Sequence, residues 1–379
     1  MRIAYCIDSI NNIGGIQRVT VAKANALVEV PGNEVFILSA DHSGERLLEV
    51  SPKVRVINLG VDYYEDDWKS RWNVMRGIFI KRRLHRRRLE EVLHEVNPDI
   101  LVSVGQSEKD FLPRIQGKWA KVREIHYVKD YRWKAARSLF DKILAFGGDL
   151  FDYSLHIKKY DRIVVLTLED KELNWKDDPK VVVIPNPVEV RRSQISTLEK
   201  KRIIGVGRLV PQKNFASLVN AFSLVARRHP DWRLDIFGEG PERSYLQSLI
   251  SGLGLEDRIG LRGNTNKAIV EMVNSSVLAM TSVFEGFGVV LIEAMSVGLP
   301  VVSYACPCGP KDVITNGKDG FLVPPEDEIV LAERLCSLIE NDSLRREMGQ
   351  EALENVKRFS IETVVGQWMD LFRKLVEDR

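Results

Sequence analysis

Residues 277–295 constrain the fold more than any other stretch of the chain. They read Val277-Leu-Ala-Met280, then Thr281-Ser-Val-Phe-Glu285-Gly286-Phe287-Gly288-Val289-Val-Leu-Ile-Glu293-Ala-Met. Four apolar residues in a row have the form of a strand buried on both faces of a parallel sheet. Glu285 falls where that strand ends, and Gly286 and Gly288 permit a tight turn that comes close to a ligand. A helix is predicted to begin near Phe287, with its N-terminal amides aimed back at that ligand, as suits a phosphate or a sugar hydroxyl. Glu293 follows about two turns into the helix and can reach the same pocket. Two carboxylates beside a glycine turn at a strand end predict hydroxyl recognition.

The strand–turn–helix unit recurs along the 379 residues, a length that accommodates two domains. Strands are predicted at Ile3–Ile7, Glu34–Ser39, Val54–Leu59, Asp99–Val104, Lys121–His126 and Asp161–Leu166. Another starts at Val181 and is ended by Pro185 and Pro187. Gly14-Gly15 and a helical run from Val19 to Leu27 follow the first strand, as in a doubly wound domain. A glycine pair alone also fits a plain tight turn. Arg191–Lys201 is polar and reads as a linker. The pattern then restarts with strands at Ile203–Arg208, Leu234–Gly238, Ile259–Gly263, Val277–Met280 and Pro300–Tyr304. Helices are predicted at Phe215–Arg228, Pro241–Leu253 and Ala268–Asn274. Asn316-Gly317 through Gly320 has the form of a hairpin turn before a sixth strand. Leu331, Leu335, Leu338 and Ile339 mark a late helix. Ser360 is a good N-cap for a last one that buries Ile361, Val364, Val365, Trp368, Phe372 and Leu375. The expected fold is α/β, with doubly wound Rossmann-like domains at 1–190 and 191–359 facing across a cleft. The C-terminal helix 360–379 is expected to pack back on the first.

Composition narrows the function. A formal charge of +2 argues against a globally basic nucleic-acid binder, so no nucleic-acid partner is expected. Four cysteines make no disulfide framework, and Cys306-Pro-Cys308 lacks accompanying His or Cys ligands, so no metal site is expected. No apolar run approaches a spanning helix, and the first strand begins at once with no signal-peptide pattern. The expectation is a cytoplasmic protein. Between Lys69 and Arg88 nine basic residues interleave with Trp72, Met75, Ile78, Phe79 and Leu84, with Trp68 just ahead and no acidic residue. Stretch 68–88 therefore reads as a surface for anionic lipid or a pyrophosphate headgroup on the inner face of the plasma membrane, against the plainer reading of an amphipathic helix packed inward. Residues 118–142, with Trp119, Tyr127, Tyr131, Trp133 and Phe140, repeat the flavour and favour a docking face.

Arg208 and Lys213 bracket a short loop directly after a strand, and two cations so close can clamp a diphosphate. Glu293 suits a ribose diol. A nucleotide-sugar satisfies all of these groups together.

Gly207-Arg208 with Lys213-Asn214, Phe237-Gly238-Glu-Gly240-Pro241, Glu285-Gly-Phe-Gly through Glu293, and Asn316-Gly317 with Gly320-Phe-Leu-Val-Pro resemble the retaining glycosyltransferases of family 4, which have the GT-B fold. The resemblance is dense over residues 200–330. In the first half it rests on Gly14-Gly15 and Glu124-Ile-His126, where Tyr127 departs from the family's commoner Asn or Asp. It implies that Arg208 and Lys213 bind the donor diphosphate. Glu285, with the amides of Gly286, Phe287 and Gly288 beside Val289, would hold donor-sugar hydroxyls, and Glu293 would bind ribose. Gly14 and Gly15 would allow close approach to the phosphates, Gly238 would lie in the donor site, and His126 would touch the donor sugar. No Asp-x-Asp occurs, so no metal cofactor is expected to hold the diphosphate. The implied partners are a UDP-sugar donor and a saccharide or polyprenyl-diphosphate-linked acceptor. A nucleotide-sugar 2-epimerase of the same fold and a non-catalytic sugar-nucleotide binder are the competing readings.

Overall fold

The computed structural model describes the chain apart from residues 12–13, 42–47, 64–70, 130–132, 134–137, 139–140, 144–146, 149, 151, 153–155, 177 and 191–193, and describes 71–78 by backbone only. The chain divides into two compact units. One comprises Met1–Leu166, Lys171–Pro187 and Ile361–Arg379; the other comprises Thr167–Asp170 and Val188–Ser360.

The first unit is built on β1 (Arg2–Ile7), β2 (Glu34–Ser39), β3 (Arg55–Asn58), β4 (Ile100–Ser103), β5 (Ala120–Glu124), β6 (Arg162–Val165) and β7 (Val181–Val183). All pairs are parallel, in the order β3-β2-β1-β4-β5-β6-β7. Alternation along β1 sends Ile3, Tyr5 and Ile7 into one core and Ala4 and Cys6 into the other, as a sheet covered on both faces requires. Helix α1 (Gly15–Leu27) covers the first face and α2 (Arg71–Val96) buries Leu89, Leu93 and Val96 on the second.

The second unit has β8 (Arg202–Val206), β9 (Arg233–Phe237), β10 (Ile259–Gly263), β11 (Val277–Met280), β12 (Val301–Tyr304) and β13 (Gly320–Val323), again all parallel, ordered β10-β9-β8-β11-β12-β13. Its helices are α3 (Phe215–Arg228), α4 (Arg243–Gly252), α5 (Ala268–Val273), α6 (Val289–Met295), the single turn α7 (Pro310–Val313), α8 (Glu328–Glu340) and α9 (Asp342–Asn355).

Two readings from the sequence are corrected here, and one helix it did not show is added. Asn316-Gly317 makes no hairpin: β13 runs parallel to β12, and Gly317 (φ +79°) only turns the chain within the crossover that includes α7. Helix α9 escapes a periodicity reading because it buries only Arg345, Met348, Gly349 and Ala352. The described part of 191–201 is packed and not a free linker: Ser196 N donates to Val297 O (2.8 Å), Ser196 Oγ to Ser275 O (2.6 Å), and Leu198 is buried.

The last helix, α10 (Ile361–Glu377), lies in the first unit and packs on α1. It buries Val364, Val365, Trp368, Met369, Leu371, Phe372 and Leu375, each worth about 1.5–3 kcal/mol when fully removed from water. Beneath it, buried Lys23 of α1 donates to Glu124 at the end of β5 and lies 4.6 Å from the centroid of the Trp368 ring. Burial alone would raise the Glu124 carboxyl, but Lys23 and His126 hold it down to about 2. Burial likewise pulls Lys23 downward, with Glu124 only partly restoring it. A depressed carboxylate contributes stability above its ordinary pKa of about 4 and loses it as pH falls through the folded value. Glu124→Gln, which strands a buried ammonium, should lose about 3–5 kcal/mol at pH 7 in urea unfolding. Its stability should also fall less steeply than the parent's between pH 4 and 2.

Candidate donor site at the strand-order reversal

In the second sheet the chain moves outward from β8 to β10 on one side and from β11 to β13 on the other. The reversal falls between β8 and β11, where loops leaving the carboxyl ends of neighbouring strands diverge and open a crevice. The loop after β8 carries Arg208 and Lys213, and the loop after β11 carries Glu285 and Gly288.

Hydrogen bonds tie these two loops together. Val283 N donates to Gln212 O (2.8 Å), and Gln212 Nε2 donates to Phe284 O (2.9 Å). Thr281 Oγ1 bonds the carbonyls of Lys213 (3.1 Å) and Asn214 (2.9 Å). Asn214, left-handed at φ +47°, closes the 3-10 turn Pro211–Lys213 and starts α3. Lys213 Nζ donates to Glu285 Oε1 at 2.5 Å, and Ser282 Oγ donates to the same oxygen at 2.6 Å. Among the described residues nothing bonds Glu285 Oε2. Arg208 is exposed, and its guanidinium has no ion-pair partner among the described residues. The arrangement offers an uncommitted guanidinium, an ammonium held by a carboxylate, and a carboxylate oxygen with free lone pairs.

Gly288 (φ +82°) caps α6, so that helix begins at Val289, two residues later than predicted. Phe287 is instead buried in the turn, edge-on to Phe359. Gly286 lies in the same turn. Glu293 sits in the second turn of α6 and is 6% exposed. Behind the turn, Glu285 N donates to Pro307 O (3.2 Å), and a Cβ on Gly309 would meet Phe287 O at 2.4 Å. Glu169 Oε2 accepts from Cys308 N (2.7 Å) and Oε1 from Lys311 Nζ (2.8 Å). Burial, and Glu285 after it, push the Cys306 thiol well up, so this cysteine is an inert wall of the turn.

Gly238 has a backbone reason of its own. Its φ is +146°, and a Cβ would lie 1.8 Å from Gly207 O, because the loop after β9 lies directly on the loop after β8. Gly207 N to Phe237 O and Leu209 N to Glu239 O, both 2.9 Å, fix that contact.

The first unit holds the remaining predicted residues. Gly14 caps α1 at φ −106°, and a Cβ there would meet only the flexible Gln17 side chain. Gly15 has nothing within 4 Å of the equivalent point. The side chain of His126 is 3% exposed, with Nε2 3.1 Å from Glu124 Oε1. Its partner thus lies within the first unit.

One polar network went unread in the sequence. Asp8, after β1, accepts from Gln106 N (2.9 Å), Ser107 N (3.0 Å) and Ser107 Oγ (2.5 Å), after β4. Buried Glu108 accepts from Ser103 Oγ (2.9 Å), and burial together with Asp8 pushes it up to about 7. Arg123 Nη1 donates to Ser103 Oγ and Gly105 O. These groups gather where the strand order of the first sheet reverses, between β1 and β4.

Of the basic stretch, 64–70, including Trp68 and Lys69, lie outside the described residues, as do the side chains of 71–78. The rest is divided. Arg82 pairs with Asp110 and Arg88 donates to Leu59 O and Gly60 O, so these face the protein. Phe79 (58%) and Ile80 (57%) are exposed beside exposed Arg83, Arg86 and Arg87. Stretch 118–142 is no uniform docking face: Trp119 is buried core, whereas Trp133 is exposed, and Tyr131 and Phe140 lie outside the described residues. No described helix is long and apolar enough to cross a membrane.

Two parallel doubly wound units define the GT-B class of α/β proteins. Among solved structures, a Staphylococcus aureus TarM variant crystallised with UDP superposes with a TM-score of 0.77 at 16% identity, covering 98% of this chain and 99% of that one. Anabaena HepE in complex with UDP-glucose gives 0.75 at 18% identity, covering 99% and 100%. Residues 189–355 match the family described as glycosyl transferases group 1. A Streptomyces coelicolor protein named exopolysaccharide phosphotransferase is 38% identical over 298 residues, 77% of this chain and 30% of that one. The chain therefore spans under a third of the length of this relative. A Campylobacter jejuni protein is 25% identical over 386 residues, 99% of each chain; its name is GalNAc-alpha-(1->4)-GalNAc-alpha-(1->3)-diNAcBac-PP-undecaprenol alpha-1,4-N-acetyl-D-galactosaminyltransferase. The chain belongs with the family 4-like glycosyltransferases.

The two sets of glycines separate in a simple measurement. Gly238→Ala should lower stability by at least about 2 kcal/mol in thermal or urea unfolding, from strain and overlap with Gly207. Gly15→Ala should leave it unchanged or raise it by up to about 1 kcal/mol.

Proposed function

We propose that the chain is a retaining glycosyltransferase. It moves a hexose or N-acetylhexosamine from a UDP-sugar to a saccharide acceptor, lipid-linked, in cell-surface polysaccharide or oligosaccharide biosynthesis. The observation that carries this reading is the pairing of Lys213 with Glu285 across the strand-order reversal, with Arg208 and Glu285 Oε2 uncommitted beside it. Relatives named for exopolysaccharide and undecaprenol-linked glycan support the acceptor class, and fold neighbours solved with UDP or UDP-glucose support the donor.

In this reading Arg208 and Lys213 neutralise the diphosphate as the sugar–phosphate bond loosens, the largest contribution such a site can make. Glu285 Oε2 accepts a donor-sugar hydroxyl while Oε1 stays on Lys213 and Ser282, which fixes the carboxylate plane. Glu293 holds the ribose hydroxyls, and Gly286, Phe287 and Gly288 line the sugar side. The acceptor attacks from the face the nucleotide leaves. Lys213 and Arg208 take the part a divalent cation would otherwise play, so no metal is required. His126, paired with Glu124, serves to order the end of β5.

The test is to incubate the protein with labelled UDP-sugars and a polyprenyl-diphosphate-linked saccharide. Release of UDP with a glycosylated lipid is expected; an epimerised donor, or donor bound without transfer, would overturn the reading. Lys213→Ala and Arg208→Ala should each lower turnover about 10²–10³-fold with unchanged circular dichroism, and EDTA should leave turnover unaltered.

Membrane attachment belongs to the same proposal. Phe79, Ile80, Arg83, Arg86 and Arg87 form the outward face of α2 that meets anionic lipid at the inner leaflet, Phe79 beneath the Arg83 guanidinium at 4.7 Å. Reversing the charge at Arg83, Arg86 and Arg87 should release the protein from anionic liposomes in sedimentation. Undiminished pelleting would assign this face another use.

A further inference from the structure

We propose that His229, Cys336 and Glu340 form a binding site for a zinc-type divalent ion at the ends of α3 and α8, separate from the donor loops. The two helices pack along their lengths, and Cys336 is part of the core they share. His229 is the C-cap of α3, its N donating to Val225 O at 2.8 Å. Cys336 and Glu340 stand one turn apart on α8, which ends at Glu340. Their three ligand atoms lie within 4.8 Å of one another, and His229 Nε2 is 3.0 Å from Glu340 Oε1.

The chemistry of the donor set names the ion. Imidazole, thiolate and carboxylate bind zinc at about 2.0–2.3 Å, which in a tetrahedron sets ligand atoms roughly 3.3–3.8 Å apart. The three side chains already stand at about that scale. A thiolate and an imidazole select zinc or cobalt over magnesium or calcium, which favour oxygen donors. As the sulfur–metal bond forms, the Cys336 thiol gives its proton to solvent. Glu340 is half exposed, which leaves a fourth position to water. Both helices also present the carbonyls of their last turns here, and these partial negative charges favour a cation.

One contact competes. Arg228 Nη2 donates to Glu340 Oε1 at 2.6 Å. A carboxylate has two oxygens, so one can serve the ion while the other keeps Arg228, the usual arrangement of a guanidinium behind a metal-bound carboxylate. The site lies at the far end of α3 from Lys213, which precedes the helix. Fourteen residues make a rod about 21 Å long, too far for the ion to touch a diphosphate. The ion's effect is to staple α3 to α8, and it stands independently of the transferase reading.

The full chain, without an affinity tag and after chelator dialysis, is titrated with cobalt(II) and followed by absorbance. One equivalent should produce a thiolate-to-cobalt charge-transfer band, displaced by zinc. The band should vanish in Cys336→Ser, and binding should weaken at least tenfold in His229→Gln, while Lys213→Ala keeps both unchanged. No band in the unaltered protein, or the same band and affinity in His229→Gln, would overturn the proposal. Because His229 is not part of the core, that variant decides the matter even if Cys336→Ser fails to fold.

Discussion

The donor site proposed for the second unit depends on how the loops after β8 and β11 are fastened to each other where the strand order reverses. Their separation is dictated by topology: one chain turns toward β9, the other toward β12. Backbone and side-chain bonds from Gln212, Thr281 and Val283 close that divergence, and Lys213 to Glu285 completes it. A partly buried ion pair of this kind adds little net stability, because desolvation consumes most of its attraction. It does hold two charges in fixed positions before any ligand arrives. Preorganised charge is what an electrostatic leaving-group site needs, since nothing must then be reoriented during reaction.

The first unit uses the same winding, with one more strand, and fastens itself differently. Its buried pair, Lys23 with Glu124, joins α1 to β5 beneath Trp368 and so anchors α10. At its own strand-order reversal stand Asp8, Ser107, Glu108 and Arg123, a network of two acids, a hydroxyl and one guanidinium. The first reversal gathers carboxylates where the second presents Arg208 and Lys213, a contrast that supports placing the proposed diphosphate in the second unit.

Much of this was legible in the sequence because parallel strands buried on both faces write themselves as short apolar runs. Glu34–Ser39, Ile259–Gly263 and Val277–Met280 were read at their observed bounds, and α3 likewise, since Phe215, Leu218, Val219, Phe222 and Val225 keep a helical period. Glu285, Gly288 and Lys213 could be marked because each stands just past a strand. What failed was non-local. Asn316-Gly317 carries a hairpin dipeptide, but only the pairing of β13 with β12 shows that the strand does not fold back. α9 hides its helix behind a polar surface. Glu124 could be read in the sequence, but its buried partner Lys23 stands more than a hundred positions earlier. Cys336 and Glu340 show their spacing on α8, but His229 joins them only through helix packing.

Hydrogen exchange with and without UDP tests the central claim most directly. The account predicts that UDP slows exchange in residues 207–214 and 281–289, the two loops that meet at the reversal of the second sheet, and leaves the first unit's β1 and β4 loops unchanged. Protection confined to other segments, or no protection at a UDP concentration that saturates turnover, would contradict it.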